Sequence, residues 1–342
     1  MTPTTAGRPT TAGRPPTRRW VVRGSGEPSE VLSLEQADPP PIGPSQVRIE
    51  VAACALGLPD VFMCRGIYPL TPPLPFTPGQ EVCGTVVEAG PAAATPVGSR
   101  VMAFADFVNG NGGLAETTVA DDDNVYEVPA GLDDAEAAGF LVAYLTGWIG
   151  LVDRAEVVAS ETVLVLGAAG GTGSAALQVA RARGATVIAV VGSAAKRDHC
   201  LDQGADQVID RSTTDVAATV RDLTGGRGAD VVYDPVGGRA GDAAQGCIAS
   251  RGRFLAVGFA EGTWPHFDAH RLVLGNYSAV GVFVGAYDRD QRVGMLEQMA
   301  DLVAAGELRP PVSRVPFDDP RSAFDALARG AVLGRPVAVV PR

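Results

Sequence analysis

The most chemically specific spacing in the chain is Gly167-Ala168-Ala169-Gly170-Gly171-Thr172-Gly173, which follows the apolar run Thr162-Val163-Leu164-Val165-Leu166 and opens a helix-forming stretch from Thr172 to Arg183. A glycine turn between a strand and a helix is an anion cradle. Ala168 takes the first glycine position of a G-x-G-x-x-G pattern, Gly170 lets the backbone approach a pyrophosphate, and Gly173 lets the helix pack against the strand. The amides of Gly171, Thr172 and Gly173 then face the anion at the positive end of the helix dipole.

The charge that follows this loop sets which dinucleotide fits it. An acidic side chain about 20 residues beyond the motif would accept hydrogen bonds from an adenosine ribose 2′-hydroxyl. Between Gly184 and Arg197 there is no Asp or Glu. Instead Gly192-Ser193 ends the second strand and Lys196, the only lysine in the protein, follows it. A cation and a hydroxyl hold a 2′-phosphate through charge-assisted hydrogen bonds, so NADPH is favoured over NADH. Arg211, just after the third strand, is a second candidate contact.

No metal-ligand pattern accompanies the loop. Catalytic zinc needs three protein ligands and structural zinc four. The three histidines, His199, His266 and His270, all fall late in the chain, and Cys54, Cys64, Cys83, Cys200 and Cys247 have no finger spacing. With Pro265 before them, His266 and His270 read as loop residues. Five unpaired cysteines without a leader-like start predict a reducing cytoplasm and buried, inert thiols. A net charge of -11 repels phosphate backbones and argues against nucleic acid as a partner. Apolar runs stop well short of the ~20 residues a membrane span needs.

The elements that must position these residues fall into blocks. The imperfect repeat Thr4 to Pro15 has almost nothing to bury and reads as a disordered tail. From Trp20 to about Leu132, short alternating segments such as Val47-Arg48-Ile49-Glu50-Val51 and Thr85-Val86-Val87-Glu88 predict a β-rich region. Near Asp133 the texture becomes Ala-rich and helical. Strands are expected at 162–166, 186–191, 207–209, 230–233 and 253–257, and such βα alternation implies a parallel sheet covered on both faces. Two amphipathic helices, about 290–305 and 319–328, precede a last strand at 336–340.

As a set, Leu74-Pro75-Phe76-Thr77-Pro78-Gly79-Gln80-Glu81, Tyr144-Leu145-Thr146-Gly147-Trp148, the run Val163 to Gly173, and Val280-Gly281-Val282-Phe283-Val284-Gly285-Ala286-Tyr287 resemble the NADPH:quinone oxidoreductases of the medium-chain dehydrogenase/reductase superfamily. Zinc alcohol dehydrogenases of that superfamily carry His where this chain has Gln80 and a ligand Cys where it has Gly57, three residues before Asp60. The resemblance therefore implies a zinc-independent member. It implies an α/β fold, with a Rossmann doubly wound parallel sheet inserted into a GroES-like, partly open β-barrel catalytic domain, and the active site in the cleft between them. The expected division is a tail at 1–19, the GroES-like domain at 20–142, the Rossmann domain at 143–285 and a C-terminal return at 286–342.

Carried over by position, the resemblance puts Thr146, Val236, Gly258, Phe259, Phe283 and Val284 near the nicotinamide, Arg335 near the cofactor phosphates and Tyr68 at the substrate pocket. It also implies a homodimer joined through the strand near Ala279 to Phe283. Many quinone oxidoreductases have Asn where this chain has Gly57, so that side-chain contact is lost here.

Hydride transfer needs no protein nucleophile, and holding donor and acceptor carbons roughly 3–3.5 Å apart is the main task of the protein. Charge growing on an acceptor carbonyl oxygen needs a donor. Tyr68, Thr146 and a cofactor ribose hydroxyl are the candidates. Three functions fit: NADPH-dependent quinone reduction, reduction of the C=C bond of an α,β-unsaturated ketone or acyl thioester, or NADPH binding without turnover, as in crystallin-like members of the family.

Overall fold

A computed structural model describes residues 15–341. Residues 1–14, most of the expected tail, lie outside the described residues. One part of that expectation is corrected: Thr17–Val22 is a strand, β1, paired antiparallel with β2, Leu32–Ala37. Arg18, with no apolar face to offer, is held by charge, its guanidinium 2.7 Å from both Glu116 and Asp318. Trp20 supplies the apolar anchor, 1% exposed, and its indole nitrogen donates to the Phe317 carbonyl.

The described residues divide into two compact units, 15–127 with 316–325 and 338–341, and 128–315 with 326–337. The expected boundaries at 142/143 and 285/286 do not coincide with this division, because the helices after Asp133 and most of the segment 286–342 pack with the second unit.

In the first unit, β3 (Gln46–Ala55), β4 (Glu81–Ala89), β5 (Arg100–Phe104) and β7 (Val125–Glu127) pair antiparallel in that order, and β6 (Thr117–Asp121) also pairs with β3. The period-two pattern accounts for β3: Val47, Ile49 and Val51 are buried while Glu50 is exposed. Arg48 breaks the pattern and is compensated by Glu88 on the neighbouring strand, 2.9 Å away.

In the second unit, β8 (Thr162–Val165), β9 (Thr186–Val191), β10 (Gln207–Asp210), β11 (Ala229–Asp234), β12 (Ile248–Ala256) and β13 (Ser278–Gly281) form one six-stranded sheet. Every pairing is parallel and the order is β10-β9-β8-β11-β12-β13. That is the doubly wound order, built from near-continuous apolar strands because both faces are covered. Leu164, Ile188, Val190, Val232 and Phe254 share one buried cluster. Helix Gly171–Ala182 buries Gly173 to Ala180, and its small residues let helix Leu141–Trp148 approach so closely that a Cβ at Gly147 would touch the Ala176 nitrogen at 3.7 Å.

Candidate functional site

Strand order reverses between β8 and β11, and ligands of such sheets bind outside the carboxyl ends of the strands at that reversal. The two loops there touch. A Cβ on Gly167, which sits at φ +56°, would lie 2.9 Å from Val236. On the other side of the turn, a Cβ on Gly173 would lie 2.4 Å from the Gly167 carbonyl oxygen, so only glycine lets the helix start this close to the strand. A Cβ on Gly170 would meet nothing nearer than that same oxygen at 3.6 Å, so no side chain crowds that side of Gly170.

Arg335 lies beside the glycine turn. Gly334 donates to the Ala169 carbonyl at 2.8 Å, which pins the segment along the glycine turn, and a Cβ on Gly171 would be 2.9 Å from the Arg335 Cδ. The side chain is 8% exposed. A cation at the start of helix Gly171–Ala182 opposes the helix dipole. A phosphate between the two removes that conflict, so the residues present fit a dinucleotide.

At the tip of β9, the 2′-phosphate candidates gather. Ser193 is extended and begins the short turn Ala194–Lys196. A Cβ on Gly192 would be 3.9 Å from Arg211 Nε, and Arg211 lies near enough to Lys196 to disfavour its charge. Partial burial holds the Lys196 ammonium below its ordinary range, with Arg211 adding to the effect. Two cations near one another are the chemistry of an anion site. Lys196 donates to the Gly330 carbonyl, and Arg211 stands 3.9 Å from Glu261.

Around the expected nicotinamide region, Gly258 approaches β11 so closely that a Cβ would lie 2.8 Å from the Pro235 oxygen. Phe259 packs on Trp264, ring centres 4.8 Å apart. Phe283 is 57% exposed and precedes the turn Val284–Ala286. Thr146 is buried, but its hydroxyl donates to the Val142 carbonyl at 2.5 Å. In this arrangement it can only accept a hydrogen bond, as from a carboxamide, and is not the donor that a substrate oxygen requires.

The first unit holds Tyr68, Gln80, Gly57 and Asp60. Asp60 acts on the backbone. Its carboxylate accepts from the Gly57 and Gly79 nitrogens, each at 2.8 Å, and so ties the helix Leu58–Cys64 to the loop before β4. Burial pushes the Tyr68 phenol above its ordinary range, while the neighbouring Gln80 amide works in the opposite sense. Gln80 is 7% exposed. The histidines stand apart: His199 meets Ser174 Oγ at 3.0 Å, His266 is in a loop, and His270 falls in helix Ala269–Gly275 rather than the expected loop. Among the described residues, no three His, Cys, Asp or Glu side chains gather as a metal site. All five cysteines are buried, and burial pushes Cys64 and Cys247 up to about 12 and Cys200 to about 11, so these three stay protonated.

Asp234, at the end of β11, was not among the expected site residues. Its Oδ1 accepts from the Val236 and Gly237 nitrogens at 2.8 and 2.9 Å and shapes the loop that touches Gly167. The Asp-Pro-Val-Gly sequence after a strand is the available signal, since Asp commonly caps such turns. Oδ2 finds no donor among the described residues, and burial pushes the carboxyl up to about 6. A folded value above the unfolded one of about 3.9 means that the protonated form is favoured in the fold, and this stabilisation is lost as pH rises through about 6. Asp234→Asn keeps an oxygen for the two nitrogens. Melting curves across pH should show the variant above the wild type by about 1–2 kcal/mol at neutral pH, the gap closing towards pH ~4. A constant gap, or none, would remove this reading.

Comparisons with known proteins follow this geometry. Residues 43–130 match a family described as the alcohol dehydrogenase GroES-like domain, and 171–304 one described as zinc-binding dehydrogenase. The chain is 35% identical to quinone oxidoreductase-like protein 2 of Rattus norvegicus over 263 residues, 76% of this chain and 74% of that one. It superposes on a probable oxidoreductase from Mycobacterium abscessus with a TM-score of 0.85 at 36% identity, covering 96% of this chain and 100% of the other. The quinone oxidoreductase of Escherichia coli, complexed with NADPH, gives a TM-score of 0.85 at 26% identity over 94% and 99% of the two chains.

The fold is thus that of a two-part oxidoreductase, a GroES-like domain with a Rossmann sheet. The chain belongs to the quinone oxidoreductase branch of the medium-chain dehydrogenase/reductase superfamily.

Proposed function

We propose that the protein is a zinc-independent reductase that uses NADPH to reduce quinones. The observation that carries this reading is the pairing of the glycine turn at the strand-order reversal with Lys196 and Arg211 at the tip of β9, the stretch from Gly184 to Arg197 itself carrying no carboxylate. The E. coli relative complexed with NADPH supports the same dinucleotide. Zinc independence is supported by Gln80 and Gly57, which stand where zinc-dependent relatives keep their ligands and cannot replace them.

When bound, the nicotinamide supplies the hydride. The protein does the positioning: Gly170, Gly171, Thr172 and Gly173 receive the pyrophosphate with Arg335, and Gly192, Ser193, Lys196 and Arg211 receive the 2′-phosphate. Thr146 would accept a hydrogen bond from the carboxamide, and Val236, Gly258, Phe259, Phe283 and Val284 would wall the ring. Tyr68 lines the acceptor pocket. The test is steady-state NADPH oxidation with a panel of quinones, unsaturated ketones and acyl thioesters in the presence of a zinc chelator. Turnover on quinones, unchanged by the chelator, is expected. Turnover on activated alkenes alone would assign the chemistry to C=C reduction, and NADPH binding without any turnover would leave a binding protein.

A homodimer through β13 belongs to the same reading. One edge of β13 pairs with β12 and the other ends the sheet. The helix that precedes it in the chain, Ala269–Gly275, leaves Val273 76% and Leu274 73% exposed. Light scattering should give twice the chain mass for the wild type and a single chain mass for Leu274→Glu. A monomeric wild type at micromolar concentration would refute the dimer. No helix among the described residues is long and apolar enough to cross a membrane.

A further inference from the structure

Gln80 carries an unusual cost. Its Nε2 is buried and has no hydrogen-bond acceptor among the described residues, although the side chain is 7% exposed. A buried donor left unsatisfied costs about 1–3 kcal/mol. The backbone around it is held on both sides: Gly79 donates to Asp60 at 2.8 Å and the Gln80 carbonyl accepts from Ala105 at 2.9 Å. Gly79 sits at φ +99°, and a Cβ there would lie 2.6 Å from Cys54 Sγ and 2.8 Å from the Leu114 nitrogen, so the loop cannot relax to bring the amide an acceptor.

Tyr68 stands beside it. The Gln80 amide is close enough to favour the phenolate form of Tyr68 but does not reach the geometry of a hydrogen bond. Tyr68 is anchored through its own carbonyl, which accepts from the Thr71 nitrogen at 3.0 Å and the Thr71 hydroxyl at 2.6 Å. Two donors thus sit side by side on fixed backbone. The Asp60 carboxylate, which disfavours the Tyr68 phenolate, accepts from the Gly57 and Gly79 nitrogens.

We propose that Gln80 Nε2, flanked by the Tyr68 hydroxyl, is the hydrogen-bond donor for the substrate's carbonyl oxygen, doing with a preorganised amide what a metal does in zinc-dependent relatives. This rests on the reductase reading above and narrows its substrates to acceptors with a conjugated carbonyl. In the reaction the acceptor gains a hydride, the electron pair it displaces collects on the carbonyl oxygen, and water supplies the proton that completes the hydroxyl. The dinucleotide is oxidised by two electrons, so atoms and charge balance. A donor aimed at that oxygen is worth more as charge grows, and so acts on kcat rather than on dinucleotide binding.

The test uses Gln80→Met, which keeps the volume and removes the donor, and Gln80→Leu, which also removes the donor without burying a charge, in case the methionine variant fails to fold. Three readouts are taken on the full chain: thermal melting, calorimetric binding of 4-nitrophenolate as an unreactive oxyanion, and steady-state kinetics on a quinone. Both variants should melt no lower than the wild type, bind 4-nitrophenolate at least about tenfold more weakly, and lose roughly a hundredfold in kcat with KM for NADPH unchanged. Wild-type phenolate affinity in a folded variant, or a fall in melting temperature that accounts for the lost rate, would overturn the proposal. If the wild type reduces no acceptor, the reductase reading fails by itself, and phenolate binding still decides the role of Gln80.

Discussion

Gly173→Val is expected to abolish useful NADPH binding and to lower stability together. The valine Cβ would fall 2.4 Å from the Gly167 oxygen and 2.7 Å from the Ala168 Cα, both backbone atoms of the turn that must hold the pyrophosphate. Neither can move aside as a side chain could. The helix must therefore back away from the strand, and the amides at its start move with it. Overpacking of this kind costs at least about 2 kcal/mol, and a shift near 1 Å in a positioning group costs about a hundredfold. Chemical denaturation and calorimetric titration measure the two effects separately. Gly294→Ala is the control: a Cβ there meets nothing within 4 Å, and the change in helix Arg289–Ala304 should stabilise by about 0.8–1 kcal/mol with NADPH affinity unchanged. A Gly173 variant that binds NADPH as the wild type does would mean that the dinucleotide lies elsewhere.

The second large effect is on discrimination rather than on binding as such. Lys196→Ala should remove at least ~1.5 kcal/mol of the preference for NADPH over NADH, the value of a hydrogen bond to a charged group. Adding Arg211→Ala should carry the loss to about a hundredfold or more, with NADH affinity nearly constant. The two cations share one anion, so the double change is not expected to be the sum of the single ones. Glu261, 3.9 Å from Arg211, sets the sign of a further check: removing its carboxylate frees Arg211 and should strengthen NADPH binding modestly. If the double variant keeps the full preference, the 2′-phosphate is held by other groups.

How much of this was legible in the sequence differs between the two units. The parallel sheet was readable strand by strand, because buried strands are apolar runs and β8, β9 and β11 are bounded by glycine or charge. The glycine turn was readable because its residues act through the backbone, where the type of residue already states the geometry. Strand β1 was not, since Thr17, Arg18 and Arg19 have the composition of the tail before them and are held by ion pairs and cross-strand hydrogen bonds that no local pattern encodes. Helix Ala269–Gly275 was hidden by Pro265 and by apolar residues that point outward instead of into a core.

Site residues that act through side chains were less legible. A sequence gives Thr146 a hydroxyl but does not reveal that its proton is committed to the Val142 carbonyl one turn back. It shows Gln80 as a lost zinc ligand, whereas the buried, unsatisfied Nε2 that makes it a donor is a matter of packing. Asp60 is similar: next to an absent metal it reads as a remnant, and only the fold shows the two amides that it joins.

The most direct test of the account is a kinetic comparison of NADPH and NADH as reductants of one quinone by the wild-type protein. The account predicts quinone reduction with kcat/KM for NADPH roughly a hundredfold above that for NADH, the discrimination expected of charge-assisted phosphate contacts at Lys196 and Arg211. Equal rates with the two dinucleotides, or no quinone reduction with either, would contradict it.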